Sequence, residues 1–256
     1  MAVLALVAFL AVMLLPALAR TKVDSRAFQC LNNNRELNRA WRMWTDDNDD
    51  QLLASSEGSE PLTPWMTGHL DFSPQGQSNW NPDTDIKKSP MWPYAGTNLK
   101  LWRCPADQSY VVINGVPRLR VRSFAMNVYF WTPLDYSPFN LYRSFRKLSD
   151  VTDPSPASLF VFLDMREDSI DYGNFAVGMD GYSPRNPAVY QFFDLPGAYH
   201  DGAAGFTYVD GHGELHRWQD RRTTPPLVAN GQVPDQFATP RNADIAWLQD
   251  RATRPK

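Results

Sequence analysis

The N-terminal apolar run is the feature that most constrains this chain. From Ala2 to Ala19 the sequence has no charged and no polar side chain, and Arg20 and Lys22 follow it. Its length is at the lower edge of the roughly 17–25 residues that a helix needs to cross a bilayer. Residues 1–22 therefore predict a transmembrane helix. The small residues before Arg20 also fit the cleavage site of a secretory signal, but the positively charged start of such signals is missing.

The next stretch predicts that this helix continues. No glycine or proline interrupts residues 23–44, and apolar side chains recur there at helical spacing. We expect one helix that runs to about Thr45, with a membrane half and an amphipathic half whose buried stripe faces a core. The stripe consists of Ala27, Cys30, Leu31, Leu37, Ala40, Trp41 and Trp44, with Asn34 as its polar exception.

Composition and charge limit the classes of protein to consider. The sequence is 43% hydrophobic and 13% aromatic, which is ample for a packed core. A net charge of −3 argues against a nucleic-acid partner, which would need a basic face. We expect one globular domain over 23–222 and a proline-punctuated tail over 223–256. Asn242 would cap a short helix in this tail that docks through Ile245 and Leu248.

Several segments predict strands. "RVRSFAMNVYF" and "SLFVFLDM" are rich in aromatic and β-branched residues. "GFTYVDGHGELHRW" predicts a hairpin, in which Asp210-Gly211 would form a two-residue type I′ turn with positive φ at both positions. The expected fold class is α+β, with a long N-terminal helix packed on an antiparallel sheet and long loops.

A cluster of histidines lies at this hairpin. By the strand period of two, His212, Glu214 and His216 project to one face, and His200 comes just before the partner strand. Imidazole and carboxylate groups on one face fit a zinc or nickel site. The alternative is the solvated side of an edge hairpin, with His200 bonded to the turn backbone.

An acidic loop is the second candidate for a metal site. Asp46, Asn48, Asp50 and Glu57 fall at calcium-ligand spacings, but Gln51 stands where the sharp turn of a calcium loop needs glycine. The alternative is that these residues end the long helix and face water. We expect no resident cofactor, with calcium and zinc as the ions for which the sequence offers ligands.

The sequence offers little for catalysis. It contains no G-x-S-x-G motif, and neither cysteine has a neighbouring histidine. Asp164, Glu167 and Asp168 follow an apolar strand, where acids are commonly solvated. We therefore expect no enzymatic activity.

The chain has two cysteines, Cys30 and Cys104. Because they are far apart in sequence and follow an export-type segment, a disulfide is favoured over a metal pair. Simple burial of both thiols is the alternative.

The chain resembles the type IV pilin-like proteins, which include the type II secretion pseudopilins. The apolar run with "LLPALARTK", which passes straight into an amphipathic helix, is similar to the prepilin-type N-terminal helix. "LWRCPADQS", "RVRSFAMN" and "ADIAWLQDR" resemble the large bacterial branch with a C-terminal His-x9-Asp-Gly signature. That signature is His200 followed by Asp210-Gly211.

The resemblance implies a structural role. A pilin-like fold would be anchored by a single pass in the cytoplasmic membrane, with its globular domain in the periplasm or outside the cell. Its partners would be other pilin-like subunits and the proteins that assemble them. The prepilin-peptidase site of the family, with its glutamate, is absent from this sequence, so either translation starts upstream of Met1 or this member has lost processing. The rival function is an exported domain that binds a glycan or a metal.

Overall fold

The structure is a computed structural model that describes residues 2–58, 62–131, 139–234 and 236–256, with side chains from residue 25 onward. Its α-helices are α1 Ala2–Asp47 and α2 Ala243–Ala252. Its strands are β1 Tyr110–Ile113, β2 Val116–Leu119, β3 Phe124–Asn127, β4 Phe160–Asp164, β5 Asn174–Phe175, β6 Gln191–Phe192, β7 Ala203–Tyr208, β8 Gly213–Arg217 and β9 Phe237–Ala238. Short 3-10 helices lie at Gln77–Asn79, Ile86–Lys88, Leu99–Trp102, Phe139–Leu141, Leu148–Asp150, Pro187–Val189 and Arg221–Thr223.

A five-stranded sheet forms the centre, in the order β5-β3-β4-β7-β8. Neighbouring strands are antiparallel except β3 and β5, which are parallel. Two further strand pairs, β1 with β2 and β6 with β9, lie outside this sheet. The sheet is therefore mixed.

The fold class predicted from the sequence was wrong. The prediction was a long helix with a membrane half and an amphipathic half packed on an antiparallel sheet, whereas the central sheet here is mixed because β5 joins it in parallel. The part of the chain with described side chains contains no helix of sufficient length and apolar character to cross a membrane. The predicted transmembrane segment, residues 1–22, lies outside that part.

The amphipathic stripe predicted for α1 is confirmed from residue 27 onward. Every residue of the predicted stripe is buried, including Asn34, and the helix ends two residues beyond the predicted Thr45. Trp41 packs edge-on against Phe130 with ring centroids 5.7 Å apart. Helical spacing alone identified the face of α1 that enters the core, because one stripe of a helix faces one side.

Both faces of the sheet are covered at β7, because successive side chains of a strand point to opposite faces. On one face, Thr207 donates a hydrogen bond from Oγ1 to Asn34 of α1, 3.1 Å away. On the other face, Phe206 packs against Trp247 of α2, with ring centroids 5.0 Å apart. The sheet thus lies between α1 and α2, and all of β7 is buried.

The hairpin of β7 and β8 was predicted correctly, but its turn type was not. Four residues separate the strands, and within the turn Gly211 alone has positive φ, at 94°. The Gly211 N–H donates to the Tyr208 carbonyl oxygen at 2.9 Å, and the Tyr208 N–H donates to the His212 carbonyl oxygen at 3.0 Å. This pattern is typical of a longer turn with a glycine bulge rather than a two-residue type I′ turn.

The remaining local predictions hold. Strands β3 and β4 lie inside the two segments chosen for their aromatic and β-branched content. The Asn242 side chain accepts a hydrogen bond from the Asp244 N–H at 2.9 Å and so caps α2. Ile245 and Leu248 are buried, as expected for a docking face.

Candidate metal centre

Four buried side chains with metal-ligating atoms converge beneath α1. Cys30 lies on α1, Cys104 follows the 3-10 helix Leu99–Trp102, Asp164 ends β4, and His200 lies in the turn before β7. One sulfur, nitrogen or oxygen atom from each lies within 4.8 Å of all the others. Both cysteines and Asp164 are fully buried, and His200 is 4% exposed. The four side chains are close enough to hold a metal ion, and we call them the buried cluster.

Hydrogen bonds fix the Cys104 loop against its surroundings. The Ser123 hydroxyl accepts from the Cys104 N–H at 3.2 Å and donates to Asp107 at 2.6 Å. The Ala106 N–H donates to Cys104 Sγ at 3.4 Å. Asn33 of α1 donates to the carbonyl oxygens of residues 100 and 103, so the loop is also tied to the helix that carries Cys30.

Asp164 is held by backbone groups on one side only. Its Oδ1 accepts from the Gly205 N–H, and its carbonyl oxygen accepts from the Gly197 N–H at 2.8 Å. Its other carboxyl oxygen, Oδ2, is buried and has no hydrogen-bond partner. Buried polar atoms are nearly always paired. An unpaired carboxylate oxygen is therefore a feature that a ligand would explain.

His200 completes the buried cluster. Its Nε2 lies 3.4 Å from Cys104 Sγ and 3.9 Å from Asp164 Oδ2. Its Nδ1 is buried without a hydrogen-bond partner. Nε2 is thus the ring nitrogen that faces the other three side chains.

Burial and mutual contact shift the pKa values of the cluster. Burial raises the pKa of Cys30 well above its ordinary value. Burial also raises the pKa of Cys104, but hydrogen bonds with Cys30 and His200 outweigh it and lower that pKa to about 6. For Asp164, burial and the nearby Cys104 raise the pKa to about 7. Burial lowers the pKa of His200, yet its contacts with Cys104 and Asp164 raise it overall.

These pKa shifts arise in part because the four side chains lie so close that the protonation of each one affects the others. Three of them become negative when deprotonated, and they lie together out of water. A cation at their centre would stabilise the deprotonated forms, because metal ligands must be thiolate, carboxylate or neutral imidazole.

Comparison with known proteins does not classify the chain. No family model, no curated protein and no solved structure matches it. The resemblance to pilin-like proteins therefore stays a prediction from the sequence.

The sheet separates the four side chains of the predicted hairpin metal site. His200 lies beneath α1, whereas the other three lie on the face towards α2 or at the turn. His216 stacks on Trp247 with ring centroids 3.6 Å apart, and Glu214 accepts from the Tyr208 hydroxyl at 2.6 Å. His212 stacks on the Tyr208 ring and lies 2.6 Å from Asp210. Within the described residues, the metal-ligating group that includes a histidine is the buried cluster.

The His-x9-Asp-Gly signature spans strand β7. His200 precedes the strand and belongs to the buried cluster, whereas Asp210 and Gly211 form the turn after it. The two ends of the signature thus have different roles in the fold.

The two predicted disulfide partners are brought together. Cys30 and Cys104 are free thiols in the structure, and their side chains are in hydrogen-bond contact. Their disulfide stays a prediction, because each thiol is also placed to act as a metal ligand.

The acidic loop is not part of the described metal-ligating group. Asp46 pairs with Arg42 at 2.9 Å, and Asp50 accepts from the Ser149 N–H at 3.0 Å. Asp46 and Asp50 therefore contribute to the end of α1 and its contact with a neighbouring loop.

Asp164 is the cluster residue whose role the sequence did not reveal. The sequence suggested a solvated strand end, but the side chain is fully buried. Nearby Asp168 pairs with Arg166 at 2.6 Å, and Glu167 accepts from the Tyr199 hydroxyl at 3.0 Å. The available signal was its position directly after an uninterrupted apolar strand, which favours burial on both faces.

Proposed function

We propose that the chain is a structural subunit of a type II secretion-like or type IV pilus-like assembly. Residues 1–22 would hold it in the cytoplasmic membrane, with the folded domain outside the cytoplasm and pilin-like subunits as partners. The observation that carries the proposal is the continuity of α1 from Ala2 to Asp47, because its second half is packed into the domain. The subunit would act by association and not by turnover.

The apolar run favours a membrane or an assembly because its exposure to water would cost free energy. Burial of apolar surface is worth roughly 25 cal/mol per Å². The run from Ala2 to Ala19 shares a continuous helix with a folded domain. Lipid or the helices of neighbouring subunits would cover such a run.

The described outer face of α1 is consistent with neighbours along the helix. Phe28 is 68% exposed and lies close to the apolar run, and Met43 is 53% exposed further along. Arg39 and Glu36 pair between them at the surface. Exposed apolar and charged side chains on one helix face can set the register of a partner helix.

A charge in the apolar run tests this role. Val7→Glu should abolish membrane retention and the assembly of full-length chains in the native cell, because a carboxylate in hydrocarbon costs several kcal/mol. Val7→Leu is the matched control and should behave as the unchanged chain does. Membrane fractionation and chemical crosslinking of intact cells measure both effects. Full assembly of the Val7→Glu chain would contradict the proposal.

The mature N-terminus provides a second test. Mass spectrometry of protein from the native membrane should find a chain that retains the apolar run. A chain that begins at Arg20 would show that the run is a removed signal. The rival function, an exported domain that binds a glycan or a metal, would then replace assembly.

Zinc is the ion that we propose for the buried cluster. Two thiols, an imidazole and a carboxylate are sulfur, nitrogen and oxygen ligands of the kinds that bind zinc in proteins. Calcium takes six to eight oxygen ligands, and the cluster offers one carboxylate. We therefore do not propose calcium for it.

A further inference from the structure

We infer that Cys30, Cys104, Asp164 and His200 form a closed structural zinc centre that fastens α1 to the central sheet. The inference uses the ion proposed above and is independent of the assembly role. It gives the interior of the domain a bound metal that the sequence motifs did not reveal.

The spacing of the ligand atoms fits one tetrahedral ion. Zinc lies about 2.3 Å from sulfur and about 2.0–2.1 Å from nitrogen, so neighbouring ligand atoms are roughly 3.3–3.8 Å apart. The observed separations from His200 Nε2 are 3.4 Å to Cys104 Sγ and 3.9 Å to Asp164 Oδ2. All four ligand atoms fall within 4.8 Å of one another, so small side-chain shifts would complete the geometry.

The unpaired Asp164 Oδ2 is the independent observation that points to a ligand. The Gly205 N–H donates a hydrogen bond to Asp164 Oδ1, and the Gly197 backbone lies close to the same carboxylate. A Cβ at position 197 would lie 2.6 Å from Oδ2. The oxygen is thus fixed in place while its hydrogen-bonding capacity is unused.

The surroundings of Cys104 also suit a thiolate ligand. The Ala106 N–H points at Sγ, as an outer partner that stabilises negative charge on sulfur. A surface groove of about 320 Å³ reaches Cys104 between α1 and the loop, lined in part by Gln29, Asn33 and Gln108. This groove gives an ion a route to the otherwise buried ligands.

Four protein ligands define the role of the centre. A catalytic zinc keeps one position for water or substrate, whereas a structural zinc has four protein ligands. The ligands here come from α1, the Cys104 loop, the end of β4 and the turn before β7. One ion would therefore link four segments that are distant in sequence.

Metal content and spectroscopy of the full-length chain test the inference. Chain purified in detergent under reducing conditions should bind one zinc, and cobalt in its place should give tetrahedral visible bands with thiolate-to-cobalt charge transfer. Asp164→Asn and His200→Gln should weaken zinc affinity by more than the 10- to 100-fold that loss of an outer partner typically costs. Zinc should raise the melting temperature of the unchanged chain.

Two histidines outside the buried cluster provide matched controls. His212→Ala and His216→Ala should each leave zinc stoichiometry and the cobalt spectrum unchanged. If Asp164→Asn fails to fold, Cys30→Ser provides the second ligand variant. The Val7→Glu chain should retain its zinc, so failure of the assembly role would leave this result standing.

Three outcomes would overturn the inference. The reduced chain could bind neither zinc nor cobalt, or the ligand variants could bind as tightly as the unchanged chain. Alternatively, protein from the native membrane could contain a Cys30–Cys104 disulfide and no zinc. That last result would establish the disulfide predicted from the sequence.

Discussion

The two faces of the central sheet are built differently at strand β7. Gly205 and Thr207 face α1, and asparagine side chains of α1 form hydrogen bonds with the strand. Asn34 and Asn38 donate to the carbonyl oxygens of Gly205 and Tyr208 at 3.2 and 2.8 Å. The α1 face thus combines close backbone approach with buried polar contacts.

The α2 face is filled by large rings. Phe206 lies against Trp218 and Trp247, with ring centroids 5.9 and 5.0 Å away. His216 stacks on Trp247 in the same cluster. Shape and burial of apolar area therefore hold the α2 face, whereas specific polar partners hold the α1 face.

Removal of the central ring should have the largest effect. Phe206→Ala is expected to lower the free energy of unfolding by about 4 kcal/mol, because a fully buried phenyl group leaves a cavity among rings. Urea unfolding followed by tryptophan fluorescence measures the loss. Phe28→Ala is the exposed control and should change stability by less than about 0.5 kcal/mol. Equal effects of the two substitutions would contradict the role given to this face.

A methyl group on the tight side of Asp164 should have the next largest effect. In Gly197→Ala the new Cβ would lie 2.6 Å from Asp164 Oδ2 and 2.8 Å from its backbone oxygen. Because the backbone oxygen cannot move aside without a large energetic cost, we expect a loss of about 3 kcal/mol in the free energy of unfolding.

Gly231→Ala is the control for that substitution. Its Cβ would meet Val228 Cγ1 at 3.3 Å, on an exposed loop. We expect a change within about 0.5 kcal/mol in the same urea experiment. Equal stability of the two alanine variants would show that the backbone at position 197 does not restrict the space beside Asp164.

The smallest expected effect is a pH dependence from the α2 face. Burial lowers the pKa of His216 below its ordinary value of 6.5. The unfolded chain then binds more protons than the folded chain in this window, so this contribution to stability is present above pH 6.5 and lost as pH falls through the folded pKa.

His216→Phe isolates this contribution. The variant keeps a ring against Trp247 and has no proton to bind, so its stability should depend less on pH below 6.5. Urea unfolding at several pH values measures the difference from the unchanged chain. The same slope in both chains would rule out His216 as the source.

Local sequence patterns predicted helices and strands but not how the strands pair. The stripe of α1, the position of β4 and the Asn242 cap follow from spacing or from a single hydrogen bond a few residues away. The parallel pairing of β3 with β5 was missed, because β5 is two residues long and its partner is distant in sequence. A strand that short has no periodicity to detect.

The candidate site shows the same limit. Sequence proximity grouped His200 with His212 and His216, but His216 stacks on Trp247 of α2, whereas His200 belongs to the buried cluster beneath α1. Cys30 and Cys104 lie close together as free thiols, and their disulfide stays a prediction. Asp164 joined them only through the pairing of β4 with β7.

By itself, the sequence determined the amphipathic face of α1, the main strands, the hairpin and the capped C-terminal helix. These features depend on side-chain period and on contacts within a few residues, which the order of residues specifies directly. Only the tertiary structure decided that Cys30, Cys104, Asp164 and His200 share one buried space. Their distances depend on strand order and on the packing of α1, because residues far apart in sequence meet only when the sheet and helix are assembled.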